Sequence, residues 1–418
     1  MRTKPWLWLT ALALLPATAA PVMGQARPVG NELRVSGNTD TKQRNPAAAY
    51  NAAGTELVVW ENDRQGLRGR FYGRDGAPLT PELGLVANQV VSGAPAQGIE
   101  VLRKDPVVAF LPSGEFFLAW TEERSSVRVD IFFQDRQLLD RDVYVQKFTA
   151  AGAAAGAPVR VSDAAGFQSV PRLLVRNGAD AVVVWQSSIS NNDGVFARLI
   201  KASGQLNGAE FRVSSGQAAN PAIGGAANGQ FIVSWEAADG GSQGVFARLY
   251  ERSAAPRGAE FQINSQVAGL QRRAAATAVP TGGWLVVWQG QGVDSKHHHI
   301  FGQFLGDTGN LVGPNFRISQ QNVGEVQIAP SVAAVAGGNF VVIWTDWHEI
   351  FPLGLFGVEI DKLGNPVGNE VQINTRPINA QTRTSLAVSP SGSILAPWEG
   401  FHTRTARRAG IAARRVEF

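Results

Sequence analysis

A tryptophan that closes an apolar run recurs seven times along this chain of 418 residues. The seven positions are Trp60, Trp120, Trp185, Trp235, Trp288, Trp344 and Trp398. Fourteen residues before them stand Pro46, Pro106, Pro171, Pro221, Ala274, Pro330 and Thr384, so five of the seven are proline and no interval contains an insertion. A fixed spacing repeated in this way indicates an array of structural units. We number the units one to seven by their tryptophans.

Each unit predicts four short β-strands. In unit six a first strand, SVAAV (331–335), is followed by a turn and by a second strand, FVVIW (340–344), rich in β-branched residues. Third strands such as GVFARLI (194–200) and fourth strands such as FRVS (211–214) come after turns that contain glycine. Units of about fifty residues with four strands each have the size of a propeller blade.

The two ends of the chain complement each other. GIAARRVEF (410–418) is a third strand with no fourth strand behind it, whereas ELRVS (32–36) is a fourth-strand sequence with no unit before it. We therefore predict an all-β fold over residues 32–418. It is a seven-bladed β-propeller of four-stranded blades, closed by the N-terminal strand completing the last blade. An open solenoid of the same units is the alternative.

The repeated text resembles a repeat found in bacterial secreted and surface β-propeller proteins. SWEAADGGSQGVFARLYERSAAPRGAEFQIN (234–264) carries the resemblance best, and it extends over all seven units. The resemblance implies a propeller-like binding scaffold without defined catalytic residues.

The first twenty residues predict a secretory signal peptide. Arg2 and Lys4 precede an apolar stretch (6–15), and small residues follow it near the expected cleavage site. An uncleaved anchor is the alternative. Residues 21–31 then form a short segment before the propeller. We expect a secreted or periplasmic protein after cleavage.

Composition excludes several classes of function. The chain has no cysteine, which rules out disulfides, thiol catalysis and cysteine metal ligands. The formal net charge is +4, and loss of Arg2 and Lys4 with the signal would leave +2, which is too little to favour nucleic acid. No apolar run is long enough for a membrane span. The sequence does not specify the oligomeric state.

Unit two departs most from the repeat. TEERSSVRVDIFFQDRQLLDRD (121–142) follows its tryptophan, and a long connection (88–105) enters it. We expect both insertions on one face, where they form a lid or a wall. The apolar residues of the longer insertion either cover the scaffold or contact a ligand: Ile131, Phe132, Phe133, Leu138 and Leu139. Glu122 and Glu123 are candidate ligand-binding residues, since paired carboxylates suit glycosidic chemistry.

Histidines mark a candidate metal site on the same face. All five lie on predicted loops of units five to seven, near an aspartate, and the candidate ligands are His297, His298, His299, Asp346, His348 and His402. Imidazole and carboxylate groups suit a divalent metal such as Zn²⁺. Ordinary solvated loops are the alternative interpretation.

Aromatic residues accompany these histidines. Trp347, Phe351 and Phe401 lie beyond the second strands of units six and seven, beside His348. Such side chains suit stacking against a sugar ring or anchoring a partner protein. Packing on the next blade is the alternative.

Two recurring polar positions are interpreted as structural. Acids or amides follow the blade tryptophans, among them Glu61 and Gln186, and we expect them to accept hydrogen bonds from loop backbone. A ring of acids around the funnel mouth is the alternative. Glutamines such as Gln43 and Gln271, just before the first strands, have a similar role.

These features lead to three hypotheses of function. The first is an exported binding module that uses one loop face to bind a protein or a glycan. The second is a hydrolase or lyase acting on polysaccharide, with a metal- or carboxylate-based site in the central funnel. The third is a structural repeat in a cell-surface assembly.

Overall fold

The computed structural model describes residues 27–37, 41–92, 97–129, 134–164, 166–176, 180–188, 193–292, 297–320, 326–347, 354–375, 385–400 and 410–417. Within these ranges the regular structure is β-strand, apart from one short 3-10 turn at Ala336–Gly338. None of their helical structure is long and apolar enough to cross a membrane.

The strands follow the predicted units in chain order. The N-terminal strand and units one and two comprise β1 (Arg27–Arg34), β2 (Gln43–Tyr50), β3 (Glu56–Asn62), β4 (Gly66–Tyr72), β5 (Leu83–Ala87), β6 (Gln89–Ser92), β7 (Gln97–Phe110), β8 (Phe116–Val129), β9 (Gln134–Phe148) and β10 (Val159–Arg160). Units three and four comprise β11 (Gln168–Val175), β12 (Ala181–Ser187), β13 (Gly194–Ile200), β14 (Leu206–Arg212), β15 (Ala219–Gly225), β16 (Phe231–Ala238), β17 (Gln243–Tyr250) and β18 (Phe261–Gln262). Units five to seven comprise β19 (Gln271–Ala278), β20 (Trp284–Gln291), β21 (His298–Leu305), β22 (Leu311–Arg317), β23 (Val326–Ala334), β24 (Phe340–Trp347), β25 (Gly354–Ile360), β26 (Val371–Gln372), β27 (Ala387–Val388), β28 (Ile394–Gly400) and β29 (Gly410–Glu417).

The sheets form a propeller-like arrangement, but their number differs from the predicted seven separate blades. The described strands build five separate sheets, four of four strands and one of five. The strands of units five and six instead belong to one sheet of eight strands. They are joined because β21 and β23 pair in parallel at a single position, His298 opposite Val326. The sequence contains no signal for this one bridge between units.

The second strands form the buried centre of each sheet. β3 and β28 are buried along their whole length, because neighbouring sheets cover both of their faces. This burial explains why the second strands read as continuous apolar runs and not as alternating ones. Each of the seven repeat tryptophans is almost completely buried.

Two of these tryptophans show what the recurring glutamine does. The indole Nε1 of Trp60 donates to Gln43 Oε1 over 2.6 Å, and that of Trp288 donates to Gln271 Oε1 over 2.9 Å. A buried indole N–H needs such an acceptor. In units one and five the glutamine is therefore structural, as interpreted from the sequence.

Apolar clusters fill the space between neighbouring sheets. Within the described residues there are seven such clusters, six of which combine side chains of two successive units. The seventh joins the first and last units, with Trp60 and Tyr72 packed against Leu395 and Ile411. The core of the molecule is thus divided among the contacts between sheets.

The N-terminal strand lies against the C-terminal strand. β1 pairs antiparallel with β29, with Leu33 opposite Ala413 and Arg34 opposite Ala412. Ser36, just beyond β1, accepts the N–H of Ile411 on its Oγ over 2.9 Å. The strand begins at Arg27, inside the segment that the sequence analysis separates from the propeller.

The insertion in unit two is a continuation of the sheet and not a loop. β8 and β9 stay paired as far as Val129 opposite Gln134, and β6 adds a further strand to the start of β7. We call the described residues of this part, 89–92, 97–105, 121–129 and 134–142, the unit-two extension. The two insertions adjoin each other, as predicted, but they do so as paired strands. Residues 131–133 of the predicted apolar set lie outside the described residues, whereas the Leu139 side chain is exposed.

Candidate functional site

A β-bulge recurs in the first strands at the residue before the proline position. Register shifts mark it in units one to six. The residue in the bulge has a positive φ between 47° and 56° in every case, and we call these the bulge residues: Asn45, Asp105, Val170, Asn220, Arg273 and Ala329. A positive φ costs a non-glycine residue about 1–2 kcal/mol, so neighbouring interactions must stabilise it.

The preceding unit supplies that interaction. In four junctions the side chain after the blade tryptophan accepts the backbone N–H of the next unit's bulge residue. The bonds are Asp105 N to Glu61 Oε1 (2.5 Å), Asn220 N to Gln186 Oε1 (2.8 Å), Arg273 N to Glu236 Oε1 (2.6 Å) and Ala329 N to Gln289 Oε1 (3.1 Å). These side chains thus accept backbone hydrogen bonds, as interpreted from the sequence. The donor is the first strand of the next unit and not a loop.

Five of the six bulge residues, all except Val170, border a central cavity of about 390 Å³. Residues of all seven units line this central cavity, from the bulge position to the second residue after the proline position. It therefore lies where the first strands begin. Further along, the chains approach closely: a Cβ on Gly224 of β15 would meet the Ala276 carbonyl oxygen of β19 at 2.8 Å.

Small side chains make the room for the central cavity. The position directly after the proline position is occupied in units one to seven by Ala47, Val107, Arg172, Ala222, Ala275, Ser331 and Ser385. Six of these are small, and Arg172 is the exception. Among the described lining residues the charged ones are Arg172, Asp105 and Arg273. The sequence analysis missed all three as site residues. Arg172 departs from the small residues that the other units carry at this position, and this departure could have identified it as a candidate site residue.

An acidic pair lies beside the central cavity in units one and two. Asn45 Nδ2 donates to Glu61 Oε1 over 2.6 Å and to Asp105 Oδ1 over 3.3 Å. Burial and then the charge of Asp105 raise the pKa of Glu61 to about 7, against the hydrogen bonds from Asn45 and the Asp105 N–H. A carboxyl group with such a pKa can hold or release a proton near neutral pH.

Glu122 and Glu123 lie in the unit-two extension, and each is held in ion pairs. Glu122 contacts Arg103 over 3.1 Å, and burial raises its pKa against the Arg103 charge. Glu123 is contacted by Lys104 (2.7 Å), Arg136 (3.2 Å) and Arg141 (2.9 Å). Burial opposes its ionisation, but the hydrogen bonds and charges of Lys104 and Arg141 prevail and hold its pKa below the ordinary value. These ion pairs link the strands of the extension. Ligand binding by the two carboxylates stays a prediction.

The histidines of unit five lie at the start of β21. The rings of His297 and His299 are 6.3 Å apart, and His299 is buried beside Phe301. Burial, with the charge of Arg272, lowers the pKa of His298.

Of the other candidate metal ligands, Asp346 alone lies within the described residues. Asp346 accepts a hydrogen bond from Gln327 Nε2 over 3.2 Å. No group of three or more potential ligands comes together in the part of the chain that the structure describes. His348 and His402 lie outside it, and so do Phe351 and Phe401. Trp347 is the last residue of β24, where its backbone pairs with Val326.

Comparison with known proteins identifies the fold of the chain but assigns it to no family. No family model matches the chain, and no curated protein matches it in sequence. Solved structures do match. A Dyadobacter fermentans protein of unknown function has a TM-score of 0.57 at 12% identity, over 96% of this chain and all of that one. A polysaccharide lyase described as an ulvan lyase has a TM-score of 0.57 at 10% identity, over 92% of this chain and 95% of that one.

A mutant of the NanB sialidase from Streptococcus pneumoniae has a TM-score of 0.53 at 7% identity, over 81% of this chain and 71% of that one. The chain shares its fold with these proteins. At identities this low the likeness establishes the propeller-like architecture and no more.

Proposed function

We propose that the chain is an exported, closed seven-bladed β-propeller that binds a glycan in its central cavity. The observation that carries the proposal is the cavity itself, because seven units contribute to its wall and a few polar groups converge in it. A volume of about 390 Å³ lies in the range of small-ligand sites, ~300–1,000 Å³. The eight-stranded sheet counts as two blades in this proposal.

Closure is supported by the bonds that β1 makes. In units three to six a side chain just after the fourth strand accepts an N–H from the third strand. Examples are Val195 N to Ser214 Oγ (3.0 Å) and Ile300 N to Ser319 Oγ (3.1 Å). Ser36 accepts the N–H of Ile411 in the same way. β1 thus occupies the place of a fourth strand in unit seven.

Contacts with the preceding unit support the same assignment. Asp163 lies just beyond the fourth strand of unit two. Its N–H donates to Glu210, in the fourth strand of unit three, over 2.8 Å. Glu32 of β1 accepts the N–H of Thr375, and its Oε1 accepts the Thr375 hydroxyl over 2.7 Å. At these two junctions the backbone N–H beyond the fourth strand therefore donates to a carboxylate of the next unit, whereas Ser265 donates to the amide oxygen of Asn315 at the corresponding place.

Three further points support a glycan ligand. The solved structures that match with TM-scores above 0.5 include an ulvan lyase and a sialidase, both named for action on carbohydrate. The wall of the central cavity carries amide, hydroxyl and charged groups, including Asn45, Asn220 and Ser331. Such groups can hydrogen-bond the hydroxyls of a sugar. A protein partner would need a broader surface than this cavity offers.

Binding is tested with a glycan array, followed by calorimetry on each glycan retained. Ala275 lines the cavity, so Ala275→Phe should fill part of it and weaken binding more than about tenfold. Ala52 lies in an exposed turn at the other end of the first strands, and Ala52→Phe is the matched control that should leave binding unchanged. Silence across the array, or full binding by folded Ala275→Phe, would overturn the proposal.

Catalysis on the bound glycan is the second candidate function. The observation in its favour is the pair of Glu61 and Asp105, which combines a proton-holding carboxyl group with a carboxylate on the cavity wall. Acid–base cleavage of a glycan needs such groups. Incubation with each bound glycan should then release shorter chains, and Asp105→Asn should abolish the release while binding persists. Intact glycan after prolonged incubation would leave binding as the function.

A further inference from the structure

We infer that the central cavity recognises an oxyanion carried on a sugar ring, either a carboxylate or a sulfate ester. The inference rests on the proposed glycan-binding function and specifies its ligand class. It depends on two arginines, Arg172 and Arg273, on the wall of the cavity.

Arg172 is placed at the cavity by its position in the repeat. It occupies the ring position after the proline, where the other six units carry alanine, valine or serine. Its Nη1 donates to the carbonyl of Pro171 over 3.0 Å, which holds the side chain close to its own strand. A guanidinium has five N–H donors in a planar fork, a geometry that matches carboxylate and sulfate oxygens.

Arg273 is a bulge residue, and its backbone is fixed from two sides. Its φ is 51°, and its N–H donates to Glu236 Oε1 over 2.6 Å. The second oxygen of that carboxylate accepts from Asn220 Nδ2 over 3.0 Å. The bulge therefore sets the direction in which the Arg273 side chain leaves β19.

The charges divide the cavity wall into two sides. Arg172, Asn220 and Arg273 belong to the consecutive units three, four and five, which form a basic arc. Asp105 and Asn45 belong to units two and one. An anionic group is attracted to the basic arc and repelled by Asp105, so the ligand enters in one orientation.

Two other basic side chains near the bulges contact residues that do not line the cavity. Lys104, the residue before Asp105, makes its ion pair with Glu123 in the unit-two extension. Arg272, the residue before Arg273, donates to the Gln243 side chain. Among the described residues that line the cavity, the positively charged ones are Arg172 and Arg273.

Three trisaccharides of one size test the inference by calorimetry: galacturonic acid, sulfated galactose and unmodified galactose. We expect the folded protein to bind at least one acidic trisaccharide about tenfold more tightly than the neutral one, with affinity falling as salt is added. Comparison of the two acidic ligands identifies the oxyanion. Arg172→Ala and Arg273→Ala should each remove most of this preference, and Arg172→Lys should restore part of it.

Arg252→Ala is the matched control, since Arg252 is exposed at the other end of the molecule from the bulges. It should keep the full preference, and thermal melting should show that all variants are folded. Equal binding of acidic and neutral trisaccharides would overturn the inference and leave glycan binding intact. Retention of the acidic preference in both alanine variants would also overturn it. Absence of binding to every glycan would refute the proposed function itself.

Discussion

Replacing Glu61 by glutamine tests whether this buried carboxyl group holds a proton in the folded protein. Glu61 is 8% exposed and accepts hydrogen bonds from Asn45 and from the Asp105 N–H. Gln186 and Gln289 make the corresponding bond in units three and five. Glu61→Gln should therefore keep the bond to the Asp105 N–H, and the Asp105 carboxylate gives the new amide an acceptor.

The expected effect depends on pH in a defined direction. Burial and the charge of Asp105 raise the pKa of Glu61 from its ordinary 4.5 to about 7. Below about pH 4.5 the folded and unfolded states both hold the proton, so glutamine changes little. Between about pH 4.5 and about pH 7 the unfolded chain releases the proton first, and the folded protein loses stability as pH rises. At ~1.4 kcal/mol per pH unit the loss reaches about 3 kcal/mol, and it stays constant above pH 7.

Urea unfolding followed by tryptophan fluorescence at a series of pH values measures this difference. Glu61→Gln should match the natural protein at about pH 4.5 and exceed its free energy of unfolding by about 3 kcal/mol at about pH 8. Gln186→Glu is the reciprocal variant, and it should lose stability as pH rises. Glu61→Ala leaves the Asp105 N–H unpaired and should lose about 1–3 kcal/mol at about pH 4.5. This loss should shrink as pH rises, because alanine also removes the cost of ionising Glu61. A gain from glutamine that does not vary with pH would refute the reasoning.

Two further predictions concern the contact between the first and last units. Arg415 Nε lies 2.5 Å from Oε1 of Glu56, a residue whose side chain is 1% exposed. Arg415→Ala should therefore lower the free energy of unfolding in urea by about 3–5 kcal/mol. A loss below about 1 kcal/mol would contradict the buried pair. Deleting residues 27–37 removes β1 and uncovers β29 as a sheet edge. We expect a lower melting temperature and association of the chains in light scattering, whereas an unchanged monomer would contradict the role of β1 in closure.

The strand pattern was predictable because each unit repeats the same physical constraints. A second strand covered on both faces must be apolar throughout, and FVVIW in unit six is buried from Phe340 to Trp344. The glutamine that stands three residues before the proline position in five of the seven units was predictable as structural, since its recurrence indicated a shared task. The Trp60 and Trp288 indoles define that task as acceptance of a buried N–H.

The bulge was not predictable by the same means. A residue before proline normally favours extended backbone, yet Asn45 and Asp105 have positive φ. For Asp105, the conformation is stabilised by a hydrogen bond from another unit, and the local sequence does not contain that partner.

The unit-two extension was predicted as a loop for a different reason. Its strands are long and carry many charges, so the sequence between Thr121 and Asp142 shows ion-pairing residues where a buried strand would show apolar ones.

The bulge also explains how a repetitive scaffold can accommodate a unique site. The inter-unit bond uses the backbone N–H of the bulge residue, so the side chain at that position is not needed for the bond. The acceptor, by contrast, must be a carboxylate or amide, and it is Glu61, Gln186, Glu236 or Gln289 in the four junctions. Bulge side chains range from Ala329 to Arg273 without changing the bond that each backbone makes. Since these side chains border the central cavity, charge can be placed on its wall one unit at a time, while the contacts that hold the units together stay the same.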